Sequence, residues 1–201
     1  MLLAYLALSP SGSESRQRLI GLLWSERGEA QARQSLRQAL KELRNALNQA
    51  GIDLLHIDAD TVALDLARLD VDAIALRGMD AESAPAQFCF QPCNEFFVDA
   101  AMRDPVGDAW IRDRRDEFRQ KELAIHRGRL DGALRREAFD EVERSAQTLL
   151  LLDPAAEEAH RALMLVFVQR GERHLALSQY QSCRRATAHE PDLEPSQAPE
   201  Q

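Results

Sequence analysis

The chain has 201 residues, enough for one large domain or two small ones that each bury a core. Hydrophobic residues make up 45% and charged residues 29%, which excludes a disordered chain, and no apolar run reaches the roughly 18–20 residues that a membrane helix needs. The net charge of −8 disfavours nucleic-acid binding by the chain as a whole, so such a role has to come from how the charge is distributed.

Leu2, Leu3 and Leu6 mark a first short helix, which Ser9-Pro10-Ser11-Gly12 ends. This apolar start lacks the basic residues and small-residue cleavage site of a signal peptide, so the expected location is the cytoplasm. Ser15 is placed to cap a second helix, with Leu19, Ile20, Leu22 and Leu23 on its buried side and Trp24 at its end. Gly28 interrupts, and a third helix is expected over residues 30–50, closed by Gly51 at the position that favours glycine. The strongest β pattern follows. Residues 54–57 form one arm and residues 61–66 the other, where Val62, Leu64 and Leu66 alternate with Ala63 and Asp65, and Asp58-Ala59-Asp60 makes the turn. Three helices and then a hairpin is the order of a winged helix-turn-helix.

Helical patterning resumes at residues 70–76, and residues 82–91 read as a loop. A long charged helix is expected over residues 108–136, with Trp110, Phe118, Leu123 and Leu130 on its buried side. Three more helices are expected over residues 139–152, 155–170 and 172–189, separated by Asp153-Pro154 and Gly171, before a proline-bearing tail after Glu190. A tetratricopeptide-like unit of about 34 residues begins at Glu157. Leu163 and Phe167 fill its first helix, and Ala176, Tyr180 and Cys183 fall where its second helix packs on the first. Val142 and Ala146 take the small positions of a weaker preceding unit. Such units bury a core by stacking.

On a helical wheel, Leu36, Leu40, Leu43 and Leu47 of the third helix form one stripe, and Arg33, Arg37, Lys41 and Arg44 form another about a quarter-turn away. Gln34, Gln38 and Asn45 add groups that can hydrogen-bond to base edges or phosphates. A basic row beside a leucine stripe is also what many solvated helices carry. The supporting helix before it and the hairpin after it turn the balance toward DNA.

Other chemistry is sparse. Cys89, Cys93 and Cys183 form neither a disulfide framework nor a complete metal set. His126, His160 and His174 lie on different helices and read as surface or half-buried residues. The acid pairs Asp140-Glu141 and Glu157-Glu158 read as helix N-terminal charge. No nucleophile–base pair and no glycine-rich phosphate loop occurs, so the expectation is a protein that is not an enzyme and uses no cofactor or metal.

Three stretches together resemble the SARP-type transcriptional activators: Leu2-Leu3-Ala4-Tyr5-Leu6-Ala7-Leu8, Arg18-Leu19-Ile20-Gly21-Leu22-Leu23-Trp24, and Ala32-Arg33-Gln34-Ser35-Leu36-Arg37-Gln38-Ala39-Leu40 with Leu43-Arg44. Val71-Asp72, Trp110-Ile111 with Arg114-Arg115, Leu152-Asp153-Pro154, Glu158-Ala159-His160-Arg161, Gly171, Ala176-Leu177, Gln179-Tyr180 and Glu194-Pro195-Ser196 resemble the second domain of that family. The resemblance implies a mainly α protein in which an OmpR-like winged helix-turn-helix over residues 1–67 precedes a bacterial transcriptional activator domain of tetratricopeptide-like helices over residues 68–196, with residues 197–201 a tail. It implies promoter double-stranded DNA as the partner, contacted by Arg33, Gln34, Arg37, Gln38, Lys41 and Arg44. For the second domain it implies RNA polymerase, another protein or a second copy of the chain as partner. Met1 already lies in the first helix, where OmpR-like domains carry a small sheet before it, so a winged unit without that sheet is expected. The acidic turn Asp58-Ala59-Asp60 would repel phosphates. The alternative is a helical-repeat protein–protein module whose winged helix no longer binds DNA.

Overall fold

A computed structural model of the chain describes residues 1–84 and 104–188. The described residues are mainly helical, with eight helices and one small three-stranded sheet. They divide into two compact units, residues 1–79 with 104–121, and residues 80–84 with 122–188.

The first unit opens with α1 (Leu2–Leu8), which buries Leu2, Tyr5 and Leu6 while Leu3 faces solvent. Strand β1 (Ser13–Ser15) follows, where no strand was expected. Helix α2 (Arg16–Leu23) starts as anticipated: the Ser15 hydroxyl accepts from the Arg18 N–H at 3.2 Å, satisfying one of the orphan donors of the first turn. Helix α3 (Glu29–Gln49) ends at Ala50, and Gly51 at φ +71° supplies the left-handed residue that closes it.

Strands β2 (Leu55–Ile57) and β3 (Thr61–Leu64) form the expected hairpin, in the register Leu55 opposite Leu64 and Ile57 opposite Val62. Strand β1 pairs antiparallel with the other edge of β3, Glu14 opposite Val62, so β3 is central. The second arm is shorter than the alternation suggested. The Asp65 carboxylate accepts from the Ala67 N–H at 3.2 Å and turns Leu66–Arg68 into a single 3-10 turn. Leu6, Leu19, Leu36, Leu40, Leu55 and Val62 meet in one core. Fully burying a side chain of this kind stabilises the fold by about 1.5–3 kcal/mol.

Helix α4 (Asp72–Gly78) and the first half of α5 (Pro105–Arg135) complete this unit, with Leu76, Ile111 and Phe118 fully buried. Helix α5 begins three residues earlier than the pattern indicated, because Pro105 serves at a first helical position, where its missing N–H is no loss. Trp110 is half-buried, its ring centroid 5.1 Å from that of Tyr5.

The second unit holds the rest of α5, then α6 (Phe139–Leu152), α7 (Glu157–Gln169) and α8 (Arg173–Thr187). Helix α6 packs on α7, and α7 on α8. Val142, Ala146 and Leu149 of α6 are fully buried against Ala159, Leu163 and Val166 of α7, so the small residues expected there do allow close approach. Asp140-Glu141 and Glu157-Glu158 occupy first turns, as their charge suggested. Helix α8 buries no residue completely: Ala176 and Cys183 are half-buried, and Tyr180, expected at the packing seam, is 49% exposed.

Two histidines depart from expectation. His126 and His160 are buried, whereas His174 is on the surface. His160 is accommodated because both ring nitrogens have partners: Nε2 donates to the Pro154 carbonyl at 3.0 Å, and Nδ1 accepts from the Gln179 amide at 2.6 Å. The bond ties α7 to α8.

Candidate nucleic-acid interface

The side of α3 away from the core carries the cationic stripe. Leu36 and Leu40 are buried, and Leu43 and Leu47 pack half-buried beside them, which fixes the rotation of the helix. Arg33, Gln34, Arg37, Gln38, Lys41 and Arg44 are all exposed. Local partners engage part of the set. Arg33 pairs with Glu29 one turn earlier, Arg37 donates to the Gln34 side-chain oxygen from Nε at 3.1 Å and Nη2 at 2.5 Å, and Gln38 donates to Glu42 at 2.7 Å. Among the described residues Lys41 and Arg44 have no ion-pair partner. Exposed pairs of this kind contribute at most about 1 kcal/mol, so an incoming phosphate can displace them.

Two adjoining clefts organise these side chains. One is walled by Arg16, Arg37, Lys41 and Arg44 over an apolar floor of Leu40 and Ile57. In the other, Arg16, Arg33 and Arg37 face the hairpin turn at Ala59 and Asp60. The structure therefore gathers the four expected cations and adds a fifth, Arg16, which the sequence pattern did not single out. Residues 16–50 hold seven Arg and Lys against three Glu within a chain of net charge −8.

Arg16 reaches this position through the sheet. Strand β1 aligns Ser15 with Thr61, and the next residue then bonds to the hairpin turn: its backbone N–H donates to the Asp60 carbonyl at 2.8 Å and its Nη1 to the Asp58 carbonyl at 3.0 Å. No local motif carries that signal, because the partners lie 42 residues apart. The turn itself carries Asp58 and Asp60, but Arg16 meets it through their backbone carbonyls, and the Asp58 carboxylate accepts from the Thr61 hydroxyl at 3.4 Å.

The described residues include no group of three or more His, Cys, Asp or Glu that could hold a metal, and no helix long and apolar enough to cross a membrane. Cys183 is a free, half-buried thiol; Cys89 and Cys93 lie outside the described residues.

Residues 64–200 match the bacterial transcriptional activator domain. The match starts at Leu64, the last residue of β3, so α4 to α8 lie within it and the cationic face of α3 lies before it. No curated protein and no solved structure matches the chain.

Proposed function

The chain belongs to the bacterial transcriptional activator domain family, and from that premise we propose that it is a DNA-binding regulator of transcription, acting as an activator at promoters. In this reading residues 1–67 are a winged helix-turn-helix of the SARP type and α3 is the helix that enters the major groove. Arg33, Gln34, Arg37, Gln38, Lys41 and Arg44 supply its contacts, and residues 68–196 form a tetratricopeptide-like domain that engages protein partners, RNA polymerase or a second copy of the chain among them. The order α1, β1, α2, α3, β2, β3 supports a winged unit, since the sheet packs behind the two helices and leaves one side of α3 open.

The observation that carries the reading is the pair of clefts in which Arg16, Arg33, Arg37, Lys41 and Arg44 converge on the exposed side of one helix. Five cations so placed neutralise several phosphates at once, and that term dominates affinity for DNA. The experiment is a promoter-fragment binding assay across salt concentrations. Arg37→Ala and Arg44→Ala are each expected to weaken binding by about 1–3 kcal/mol where the side chain contacts a base edge bidentately. Unchanged binding in both variants overturns the assignment.

One observation favours a second reading. The hairpin tip carries Asp58 and Asp60, and Glu29 and Glu42 already occupy Arg33 and Gln38. A helical-repeat interaction module without DNA binding would keep such a tip at no cost. That reading expects residues 70–201 to retain protein partners and the intact chain to bind no duplex.

A further inference from the structure

The start of α5 lies 79 residues beyond the turn between α2 and α3, yet it grips that turn. The buried Asp104 carboxylate accepts from the Ser25 backbone N–H through Oδ2 at 2.5 Å and from the Ser25 hydroxyl through Oδ1 at 2.8 Å. Oδ1 also accepts from Val106 N–H at 3.0 Å and Gly107 N–H at 3.5 Å, the free donors of the first turn of α5. Burial alone would raise this carboxyl, but the bonds from Ser25, Val106 and Gly107 outweigh it and hold the group below the usual carboxylate range.

We propose that Asp104 is a positioning residue for DNA reading: by latching Ser25 it sets the turn that aims α3 at the duplex. The proposal rests on the DNA-binding reading above. Helix α3 has Gly28 at its N-cap and so no side-chain cap of its own, and the entry angle of the chain is not fixed locally. The turn's other bonds are short-range: Arg27 N–H to the Trp24 carbonyl at 3.1 Å, and Arg27 Nη1 to Ser35 at 2.8 Å. The Asp104 carboxylate is a fixed point by contrast. Its helix is anchored to α1 through the Trp110 and Tyr5 rings, and through Glu117, which accepts from Arg77 at 2.7 and 3.2 Å while Arg77 donates to the Leu8 carbonyl at 2.9 Å.

Positioning and charge have separable consequences. Attraction to phosphates survives a small tilt of α3, because the cations remain on the same face. Base-edge contacts do not survive it, because they need donors and acceptors in register. The latch therefore acts on the preference for one duplex over another, and loss of folding would lower both affinities together.

The test uses the full chain, a duplex selected by the wild-type chain from a random-sequence pool, and a scrambled duplex of the same length. Asp104→Asn and Ser25→Ala are mild enough to keep the core intact. Each is expected to lower affinity for the selected duplex about tenfold, the size of one lost charge-assisted bond. Affinity for the scrambled duplex and its salt dependence stay unchanged, and the double variant is no worse than Asp104→Asn alone, since the bond that Ser25→Ala removes is one to the carboxylate that Asp104→Asn already neutralises. Amide hydrogen exchange at residues 25–32 should speed up in Asp104→Asn. Equal losses on both duplexes, or no loss on either, overturn the proposal while the DNA-binding reading stands. A wild-type chain that selects no duplex overturns both, and the exchange measurement then still reports whether Asp104 holds the turn.

Discussion

The Arg16 guanidinium donates to the Asp58 carbonyl at 3.0 Å, joining the first residue of α2 to the hairpin turn. The bond directs the carbonyl dipole of an acidic residue at a cation, and leaves the rest of the guanidinium lining both clefts beside α3.

Arg16 therefore has two roles that separate by substitution. Arg16→Ala should lower stability by about 0.5–1 kcal/mol, the worth of one exposed side-chain bond, and should make the salt dependence of DNA binding shallower by about one unit. Arg16→Lys keeps the charge and loses the planar donor geometry. It should restore the salt slope without restoring the urea midpoint. Wild-type slopes in both variants would contradict a phosphate contact at this position.

Gly12 tests the packing behind the sheet. It adopts φ +67°, and a Cβ there would stand 2.7 Å from Leu66 Cγ and 2.8 Å from the Leu64 carbonyl oxygen, which is backbone and cannot swing aside. Gly51 has a similar φ of +71° with open space around it. Gly51→Ala should cost about 1 kcal/mol, the left-handed penalty alone, and Gly12→Ala clearly more, about 1–3 kcal/mol beyond it. Urea titration of the two variants checks the difference, and equal midpoints would contradict the close approach.

Much of this molecule is legible in its residues. The helices of the second unit follow from regular apolar spacing broken by Asp153-Pro154 and Gly171, and the exposed face of α3 from two stripes a quarter-turn apart. Strand β1 is not legible, because Ser13-Glu14-Ser15 has no apolar alternation; it is a strand only by pairing with β3. Leu66 continues the alternation of β3, but the neighbouring Asp65 caps a turn instead. Arg16 and Asp104 are not legible for one shared reason: each acts on a partner far away in sequence, and periodicity carries no information about such contacts. The buried histidines belong with them, since His160 is tolerated only through Pro154 and Gln179.

His126 gives the fold a pH dependence. Its ring is buried, its Nε2 has no hydrogen-bond partner among the described residues, and burial, helped by the charge of Arg129, lowers its pKa below the usual imidazole value. The folded chain then resists a proton that the unfolded chain accepts. At pH values above the ordinary imidazole range, about 6.5, both states are neutral and His126 has no pH effect. As pH falls through that range stability declines, and it continues to decline until the folded ring protonates. Urea midpoints at about pH 7.5 and pH 5.5 should differ in the wild type, and the difference should shrink in His126→Leu. An equal pH dependence in the two proteins would contradict the assignment.

The central claim is that the cations on α3 meet phosphates and bases, and salt-dependent binding to a selected duplex tests it most directly. Over about 50 to 200 mM salt the wild-type chain should show a steep linear fall of log affinity with log salt, close to 0.9 per phosphate contact. Lys41→Ala or Arg44→Ala should flatten that slope by about one contact each, and Arg37→Ala should also weaken preference for the selected sequence. A wild-type chain whose affinity ignores salt, or variants whose slopes match the wild type, would contradict the account.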